Sequence, residues 1–261
     1  MSCAIHARAL SYRYPDGHVA LDALDLHVEH GERVAILGPN GAGKTTLMLH
    51  LNGLLTRASG DLEVAGLAVE RDRLPELRAR VGLVFQDPDD QLFMPTVRED
   101  VAFGPLNMGL AREQVAGRVD EALAAVRMGF AMDRAPHQLS QGERRRVAIA
   151  TVLAMRPRLL VLDEPSANLD PRARRELLEL LAEIDRTMLI VTHDLLFAAE
   201  LCERAVILAG GRTVADGPAE SILGDMALLG DFDLELPAGV DLERIERRPR
   251  PAPAAGPVTA G

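Results

Sequence analysis

The sequence predicts an α/β fold with a mainly parallel sheet, an antiparallel β part near the N-terminus and a helical subdomain inserted in the core. Three observations favour it. Apolar runs at residues 81–85, 159–162 and 187–191 have the continuous character of strands buried on both faces of a parallel sheet. A glycine-rich loop at residues 38–43 separates a strand-like segment from one with helical apolar spacing. The stretch from residue 96 to 155 is helical in pattern.

The first elements can be placed in chain order. Residues 24–37 are predicted to form two strands joined at His30-Gly31, where glycine permits a tight turn. The glycine loop follows, and the apolar residues from Leu47 onward then favour a helix. The order strand, glycine loop, helix is typical of a phosphate-binding motif.

The central stretch is predicted to form a helical subdomain over approximately residues 89–155. Two residue pairs have the form of capping boxes, which begin helices: Thr96 with Glu99, and Ser140 with Glu143. One helix face is marked by five apolar residues: Val115, Val119, Ala122, Leu123 and Val126. We therefore expect one domain over residues 1–236 that contains this subdomain, followed by a flexible Pro-, Ala- and Arg-rich tail over residues 237–261.

Composition limits the classes of function. The chain has 261 residues, of which 48% are hydrophobic, and a formal net charge of −10. The negative charge argues against nucleic acid as a partner, and no apolar run approaches the roughly 18 residues that cross a bilayer. Cys3 and Cys202 are far apart and are predicted to be free thiols. The seven histidines show no spacing that predicts a metal site.

The glycine loop has the form Gly-x-x-x-x-Gly-Lys-Thr, which is the phosphate-binding P-loop. Its backbone N–H groups converge on phosphate oxygens at a helix N-terminus. Lys44 is the single lysine among 29 Lys and Arg residues, and it lies where the broad fork of arginine would not fit. The predicted phosphate-binding residues are Gly38, Pro39, Asn40, Gly41, Ala42, Gly43, Lys44, Thr45 and Thr46. The fold prediction thus becomes a P-loop NTPase core that binds ATP and Mg²⁺, with the Thr45 hydroxyl as a ligand of Mg²⁺.

Two carboxylates follow the apolar run at residues 159–162. Asp163 is suited to an indirect contact with Mg²⁺, and Glu164 is suited to orient and deprotonate an attacking water. A strand that ends in Asp-Glu is by itself a weak indication of a hydrolytic site. Together with a P-loop in the same chain it becomes a strong one.

Further motifs carry a resemblance to a known family. The segment Leu139-Ser-Gln-Gly-Glu-Arg-Arg-Arg-Val-Ala-Ile-Ala resembles the signature sequence of ABC ATPases. The other motifs of this family match in order over residues 5 to 225: Gln86 of the Q-loop, residues 166–170 of the D-loop, His193 of the switch motif and the upstream aromatic Tyr14.

The resemblance implies an ATPase that works as a head-to-tail pair, either a homodimer or a pair with a similar ATPase. Ser140 and the N–H of Gly142 would contact the γ-phosphate bound by the other protomer, and His193 would sense that phosphate. Tyr14 would stack on adenine. Gln86 would contact Mg²⁺ and is counted with Glu164 and His193 among the catalytic residues.

The signature departs from the usual Leu-Ser-Gly-Gly-Gln of the family at two positions, Gln141 and Glu143. Glu143 keeps an acceptor for a ribose hydroxyl and adds negative charge near the nucleotide. Ser140 and Gly142, which would contact the γ-phosphate, are kept. The two departures therefore put the nucleotide affinity in question and not the function.

A finer resemblance is to the cobalt- and nickel-type importers of the energy-coupling-factor class. It is carried by residues 11–17, 81–93 and 95–105. It implies membrane-spanning partner subunits, a peripheral location at the cytoplasmic face of the cell membrane, and a groove after the Q-loop for a partner's coupling helix. Leu92, Phe93 and Met94 are predicted to line that groove, unless they are ordinary core residues. Relatives that move vitamins carry similar stretches, so a vitamin remains an alternative cargo.

Other classes fit the sequence less well. Soluble ABC ATPases of DNA repair or translation usually carry coiled-coil insertions, zinc motifs or fused halves. A GTPase motif of the Asn-Lys-x-Asp type is excluded, because the single lysine belongs to the P-loop. A binding-only module is disfavoured by the presence of both Glu164 and His193.

Overall fold

The computed structural model describes residues 3–56, 59–237, 239–240, 242, 245 and 247–248. These residues form two β-sheets and nine α-helices. The strands are β1 Ile5–Arg13, β2 Val19–Val28, β3 Arg33–Leu37, β4 Ser59–Val64, β5 Leu67–Ala68, β6 Val81–Val84, β7 Leu159–Asp163, β8 Thr187–Val191, β9 Arg204–Ala209 and β10 Arg212–Pro218. The α/β fold class predicted from the sequence is confirmed.

The larger sheet has six strands in the order β10-β9-β3-β8-β7-β6. Strands β9, β3, β8, β7 and β6 run parallel, and β10 pairs antiparallel with β9 at the edge. All five residues of β3 and of β8 are buried. This is the burial expected for strands covered on both faces, and it explains their continuous apolar sequences.

The smaller sheet is antiparallel, with four strands in the order β2-β1-β4-β5. The second strand alternates between buried and exposed residues over much of its length, as expected for a sheet with one face in solvent. The two strands predicted within residues 24–37 are both present, but they belong to different sheets. The turn at His30-Gly31 therefore joins the two sheets.

The helices are α1 Lys44–Leu51, α2 Leu74–Arg80, α3 Val97–Asn107, α4 Arg112–Ala125, α5 Gln141–Leu153, α6 Pro171–Glu183, α7 Leu195–Leu201, α8 Ala219–Gly224 and α9 Met226–Asp231. Helices α3, α4 and α5 pack together within the predicted helical subdomain. Both predicted capping boxes are present, at Thr96 for α3 and at Ser140 for α5. Each cap satisfies backbone N–H groups at a helix start.

Two apolar cores lie on opposite faces of the larger sheet. Alternate residues of β3 point into different cores, since Val34 and Ile36 belong to one and Ala35 and Leu37 to the other. The first core also contains residues of α1 and of the antiparallel sheet. The second contains residues of the helical subdomain and of α6 and α7. The sheet is thus the shared layer that fixes the helical subdomain relative to the P-loop.

The carboxyl ends of β3, β7 and β8 lie side by side, because these three strands are parallel neighbours. Loops that leave this edge form the usual ligand-binding crevice of an α/β sheet. The glycine loop follows β3, Glu164 follows β7 and His193 lies two residues after β8. The topology therefore brings three separate sequence motifs to one place.

Part of the predicted tail contacts the domain. Ile245 packs against the second core, Arg247 pairs with Glu220 at 3.1 Å, and the N–H of Arg248 donates to the Glu200 carbonyl. Residues 249–261, and so most of the predicted tail, lie outside the described residues. Among the helices that the structure describes, none has the length and apolar character needed to span a bilayer.

Candidate nucleotide site

The glycine loop is shaped by close backbone approaches. A Cβ at Gly38 would lie 2.1 Å from the Leu208 carbonyl oxygen, and one at Gly43 would lie 2.4 Å from that of Ala20. Both glycines have positive φ angles, of 138° and 101°, which side chains rarely adopt. The loop can therefore close around phosphate oxygens only with glycine at these two positions.

The single lysine is held at the mouth of this loop. The Nζ of Lys44 donates to the carbonyl oxygens of Gly38 at 2.6 Å and Pro39 at 2.9 Å. Burial lowers the pKa of the ammonium, and the nearby carboxylates of Glu164 and Asp163 oppose that shift. A compact cation held this way can turn toward phosphate oxygens by moving its terminal atoms alone.

The acidic pair lies at the end of β7. Burial and the neighbouring Glu164 carboxylate raise the pKa of Asp163 to about 6, against the opposing charge of Lys44. The backbone of Glu164 has a positive φ of 43° and its N–H donates to the Val191 carbonyl at 2.8 Å. This unusual conformation is held by β8, and it turns the side chain toward the residues that follow that strand.

Glu164 meets His193 in a hydrogen-bonded pair. The Oε1 of Glu164 lies 2.8 Å from Nδ1 of His193. Its Oε2 accepts from the Thr192 hydroxyl at 3.0 Å and the His193 backbone N–H at 3.2 Å. The His193 side chain is 72% exposed, whereas that of Glu164 is 12% exposed. A fixed carboxylate beside an accessible imidazole can accept a proton from a positioned water.

The predicted adenine-stacking residue lies beside an aromatic that sequence analysis missed. The ring of His18 is nearly parallel to that of Tyr14, with centroids 6.4 Å apart. The Tyr14 hydroxyl lies 3.1 Å from the Thr46 hydroxyl, which ties this pair to α1. His18 directly precedes β2, and nothing in its spacing distinguishes it from the five other histidines that lie outside the predicted motifs.

One cavity of about 230 Å³ gathers most of the predicted nucleotide residues. Gly38 and Pro39 contribute through their bonds to Lys44, and His193 through its bond to Glu164. The residues that line the cavity are Tyr14, His18, Ala20, Asn40, Gly41, Ala42, Gly43, Lys44, Thr45, Thr46, Gln86, Asp163, Glu164 and Val191. We call this the nucleotide cavity.

The signature residues line a different cavity, of about 280 Å³, at the start of α5. Ser140, Gly142 and Glu143 face residues of the D-loop and of α6 across it. The two cavities share no lining residue. The signature and the P-loop of one chain therefore line separate cavities.

The carboxylate of Glu143 forms part of the capping box at the start of α5. Its Oε2 accepts from the Ser140 backbone N–H and hydroxyl, both at 2.8 Å. These bonds lower the pKa of Glu143. The Ser140 hydroxyl must rotate away from Glu143 before it can donate to another acceptor.

Two side chains that sequence analysis missed connect the signature helix α5 to the Q-loop. Arg145, which is 1% exposed, donates to the Phe85 carbonyl at 2.9 Å. The Gln91 amide accepts from the Phe85 N–H at 3.2 Å and donates to the Ala148 carbonyl at 2.8 Å. Arg145 stands in a run of three arginines, so its burial could not be read from the sequence.

An apolar groove of about 640 Å³ follows the Q-loop and lies between α2, α3 and α5. Phe93 is 62% exposed there and packs edge-to-face on Phe103, with ring centroids 5.0 Å apart. The buried Asp100 carboxylate accepts from the N–H groups of Phe93 and Met94, both at 3.0 Å. Leu92 is only 8% exposed and so follows the alternative prediction of a core residue, and of the three predicted residues only Phe93 lines the groove. Leu92 packs into the second core.

The sequence matches known families over most of its length. Residues 21–167 match the family model described as ABC transporter. A putative ABC transporter ATP-binding protein of Streptomyces coelicolor is 58% identical over 238 residues, which are 91% of this chain and 92% of that protein. The energy-coupling factor transporter ATP-binding protein EcfA of Methanothermobacter thermautotrophicus is 49% identical over 91% of this chain and 78% of its own length.

Two further comparisons concern proteins that carry the name CbiO. The cobalt import ATP-binding protein CbiO of Rhodobacter capsulatus is 48% identical over 96% of this chain and 91% of its own length. The solved structure of cbiO1 from Clostridium perfringens, described as part of the ABC transporter complex cbiONQ, superposes with a TM-score of 0.79. It is 36% identical, and the superposition covers 91% of this chain and 97% of that one.

Proposed function

This chain belongs to the ABC transporter ATP-binding family and is an ATPase, and from that premise we propose that it powers an importer for cobalt or nickel ions. The ATPase part of the proposal rests on the nucleotide cavity, where the P-loop, Asp163, Glu164 and Gln86 meet, and the cargo rests on the similarity to the cobalt import ATP-binding protein CbiO. The importer would be of the energy-coupling-factor type, to which the relatives named EcfA and CbiO point. The chain would lie at the cytoplasmic face of the cell membrane as a peripheral subunit.

In the proposed ATP complex, the N–H groups of the glycine loop and α1 bind the phosphates, with Lys44 on the β- and γ-phosphates. Tyr14 stacks on adenine, and His18 extends the same aromatic surface. This assignment rests on their nearly parallel rings, which line the nucleotide cavity together. An adenine ring on this surface would lie at the opening of the P-loop.

The same cavity has the donor set that Mg²⁺ prefers, which is oxygen ligands around bound phosphates. Thr45, Gln86 and Asp163 all line it and would hold the ion, Asp163 indirectly. The raised pKa of Asp163 reflects burial beside a second carboxylate, and a nearby divalent cation would offset that cost. When bound, Mg²⁺ neutralises charge on the phosphates during transfer.

We propose that Glu164 accepts the proton of the attacking water and that His193 orients the reacting group. The bonds from Thr192 and from the His193 backbone fix the carboxylate, so it needs little reorganisation as it acts. The His193 side chain is 72% exposed, so its ring would be free to contact a γ-phosphate. Hydrolysis would then require both residues in one closed site.

Closure of the nucleotide site would require a second ATPase chain, which is either a copy of this chain or a close homologue. The separation of the signature cavity from the nucleotide cavity supports this proposal. In a head-to-tail pair, Ser140 and Gly142 of one protomer would bind the γ-phosphate held by the other. The N-terminus of α5 would add its positive dipole to that contact.

Glu143→Gln is expected to have two opposite effects. The loss of a negative charge beside the triphosphate should strengthen the ATP-driven dimer about twofold to tenfold. The neutral amide is a weaker helix cap, so the melting temperature at neutral pH should fall. Light scattering with ATP, in a background that does not hydrolyse it, measures the first effect, and calorimetry measures the second.

The pH dependence of the folding stability tests the assignment of Glu143 to the cap of α5. Hydrogen bonds from Ser140 lower the pKa of Glu143 in the folded state, so the carboxylate stabilises the fold above its unfolded pKa. That contribution is lost as the pH falls through the folded-state pKa. The stability difference between wild type and Glu143→Gln should therefore vanish in acid. A difference that persists there would contradict the assigned cap.

The groove beside Phe93 is proposed as the contact for a coupling helix of the membrane subunit. Its wall includes two exposed aromatic rings, Phe93 and Phe103, and an amphipathic helix binds such a groove by its apolar face. Gln91 connects the groove wall to Phe85, which precedes Gln86, and to α5. A movement of the Q-loop with ATP would therefore move the groove.

Phe93→Asp is expected to lower assembly with the membrane subunits at least about tenfold, because a charge would be buried in an apolar contact. Metal uptake should be lost, whereas the isolated ATPase should fold and bind ATP normally. Phe130→Asp is a matched control, since Phe130 is 61% exposed and lies outside the groove. Co-purification and uptake measure the two effects. Full uptake by Phe93→Asp would place the coupling contact elsewhere.

The cargo can be tested in vesicles that contain the assembled transporter. The wild-type complex should accumulate radioactive cobalt or nickel ions when ATP is supplied on the side of the ATPase. A vitamin is the second candidate cargo, because relatives that move vitamins carry similar stretches and the relative named EcfA, at 49% identity, has no cargo in its name. Uptake of a vitamin without uptake of either metal would replace the proposed cargo and leave the ATPase assignment unchanged.

A further inference from the structure

Three side chains of the types that bind metal ions, one cysteine and two histidines, lie together at the start of the antiparallel sheet, outside the nucleotide cavity. Cys3 precedes β1, His6 lies on β1 and His27 lies on β2. One potential ligand atom from each of them lies within 4.8 Å of the other two. Their spacing along the chain predicts no metal site, because the grouping depends on the pairing of β1 with β2.

Strand register creates the group. His6 lies directly opposite His27 in the β1–β2 pair, and opposite side chains of an antiparallel pair share one face. The two imidazole rings contact edge to face, with centroids 5.9 Å apart. Both histidines are exposed and Cys3 is half-buried, so an ion can reach all three from solvent.

The distances are close to those of a metal site. Bonds of about 2.0–2.3 Å to a tetrahedral ion place two ligand atoms about 3.5 Å apart. The atoms here lie within 4.8 Å of one another, so small side-chain rotations would bring them into place. The exposed rings of His6 and His27 can make such rotations without repacking the core.

Two carboxylates lie beside the group. Glu63 on β4 lies opposite His6 in the neighbouring strand pair, and Glu29 bonds to Nε2 of His27 at 2.8 Å. Negative charge at this place favours a cation, and a carboxylate on one ring nitrogen orients an imidazole whose other nitrogen binds a metal.

We propose that Cys3, His6 and His27 bind one divalent ion of the late first-row transition metals, such as Zn²⁺, Co²⁺ or Ni²⁺. One sulfur and two imidazole ligands suit these ions and disfavour Mg²⁺ or Ca²⁺. Three protein ligands leave a fourth position for water, as in open zinc sites. This inference does not rest on the proposed transport function.

The site is remote from the nucleotide cavity along β1. The strand runs from Ile5 to Arg13, which at about 3.3 Å per residue spans roughly 25–30 Å. Tyr14, at its far end, lines the nucleotide cavity. Changes to Cys3, His6 or His27 should therefore leave ATP hydrolysis intact.

Titration of the full, untagged chain with Co²⁺ in the absence of nucleotide tests the proposal. One equivalent should produce the charge-transfer absorption of a cobalt–thiolate bond. Cys3→Ser should abolish this absorption, and His6→Ala and His27→Ala should each weaken Co²⁺ binding at least about tenfold. His30→Ala is the matched control, because His30 is also exposed but lies outside the group. The affinity of this variant for Co²⁺ should equal that of the wild type.

Thermal melting gives a second readout. An ion that binds only the folded chain raises its stability, so Zn²⁺ should raise the melting temperature of the wild type but not of Cys3→Ser. Cys202 is 1% exposed and should not bind added ions. Absence of the cobalt–thiolate absorption would overturn the proposal. An absorption that survives in Cys3→Ser, or equal affinities in wild type and both histidine variants, would also overturn it.

Discussion

Glu164→Gln is expected to lower steady ATP turnover at least about 100-fold, the lower end of what a general base contributes, while ATP binding is kept. An amide cannot accept the proton of water, but its oxygen can still accept from Thr192 and from the His193 backbone. The shape of the site is therefore preserved. The variant should trap ATP between two protomers, visible as a dimer by light scattering with ATP but not with ADP.

Glu183→Gln is the matched control for this experiment. Glu183 is an exposed carboxylate at the end of α6 that pairs with Arg127 at 2.7 Å, away from the nucleotide cavity. Its removal should leave turnover unchanged, because a surface ion pair contributes little. Turnover of Glu164→Gln within a few fold of the wild type would show that another group accepts the proton.

Lys44→Arg is expected to weaken ATP binding at least about tenfold, although the charge is kept. The Nζ of Lys44 fits between the carbonyl oxygens of Gly38 and Pro39, and a planar guanidinium is too broad for that position. A tenfold loss corresponds to about 1.4 kcal/mol of binding free energy. Equilibrium binding of a fluorescent ATP analogue measures it.

Chemical labelling tests the same assignment in the wild type, because Lys44 is the single lysine. Mg-ATP should shield its amine from an amine-reactive reagent, while the α-amino group of the chain stays reactive. Arg98→Lys provides a control, since Arg98 is 47% exposed outside the cavity and the new lysine should react equally with and without ATP. Equal labelling of Lys44 under both conditions would contradict its place on the phosphates.

Features encoded over a few residues could be predicted from the sequence. The capping boxes at Thr96 and Ser140 involve residues three positions apart, so their form is visible in the chain. The glycine loop is likewise local, since its positive φ angles select glycine. The buried strands were visible because both of their faces meet apolar cores, which leaves a continuous apolar run.

The meeting of distant residues could be predicted only where a family resemblance supplied the missing information. The bond between Glu164 and His193 joins residues that follow two different strands. Nothing within either motif specifies that these strands are neighbours. The resemblance assigned both residues to ATP hydrolysis but did not predict the bond between them, and it said nothing about His18 or Arg145.

The sequence by itself determined the chemistry of this protein: a phosphate loop with one lysine, two carboxylates at a strand end and a helix that begins at the signature. Only the tertiary structure decided which side chains share a space. It placed Phe93 outside the core and Leu92 inside it. It also placed the signature and the P-loop in separate cavities and brought Cys3 to His6 and His27. The physical reason is that strand order and register depend on the packing of the whole chain, whereas caps and glycine turns depend on near neighbours.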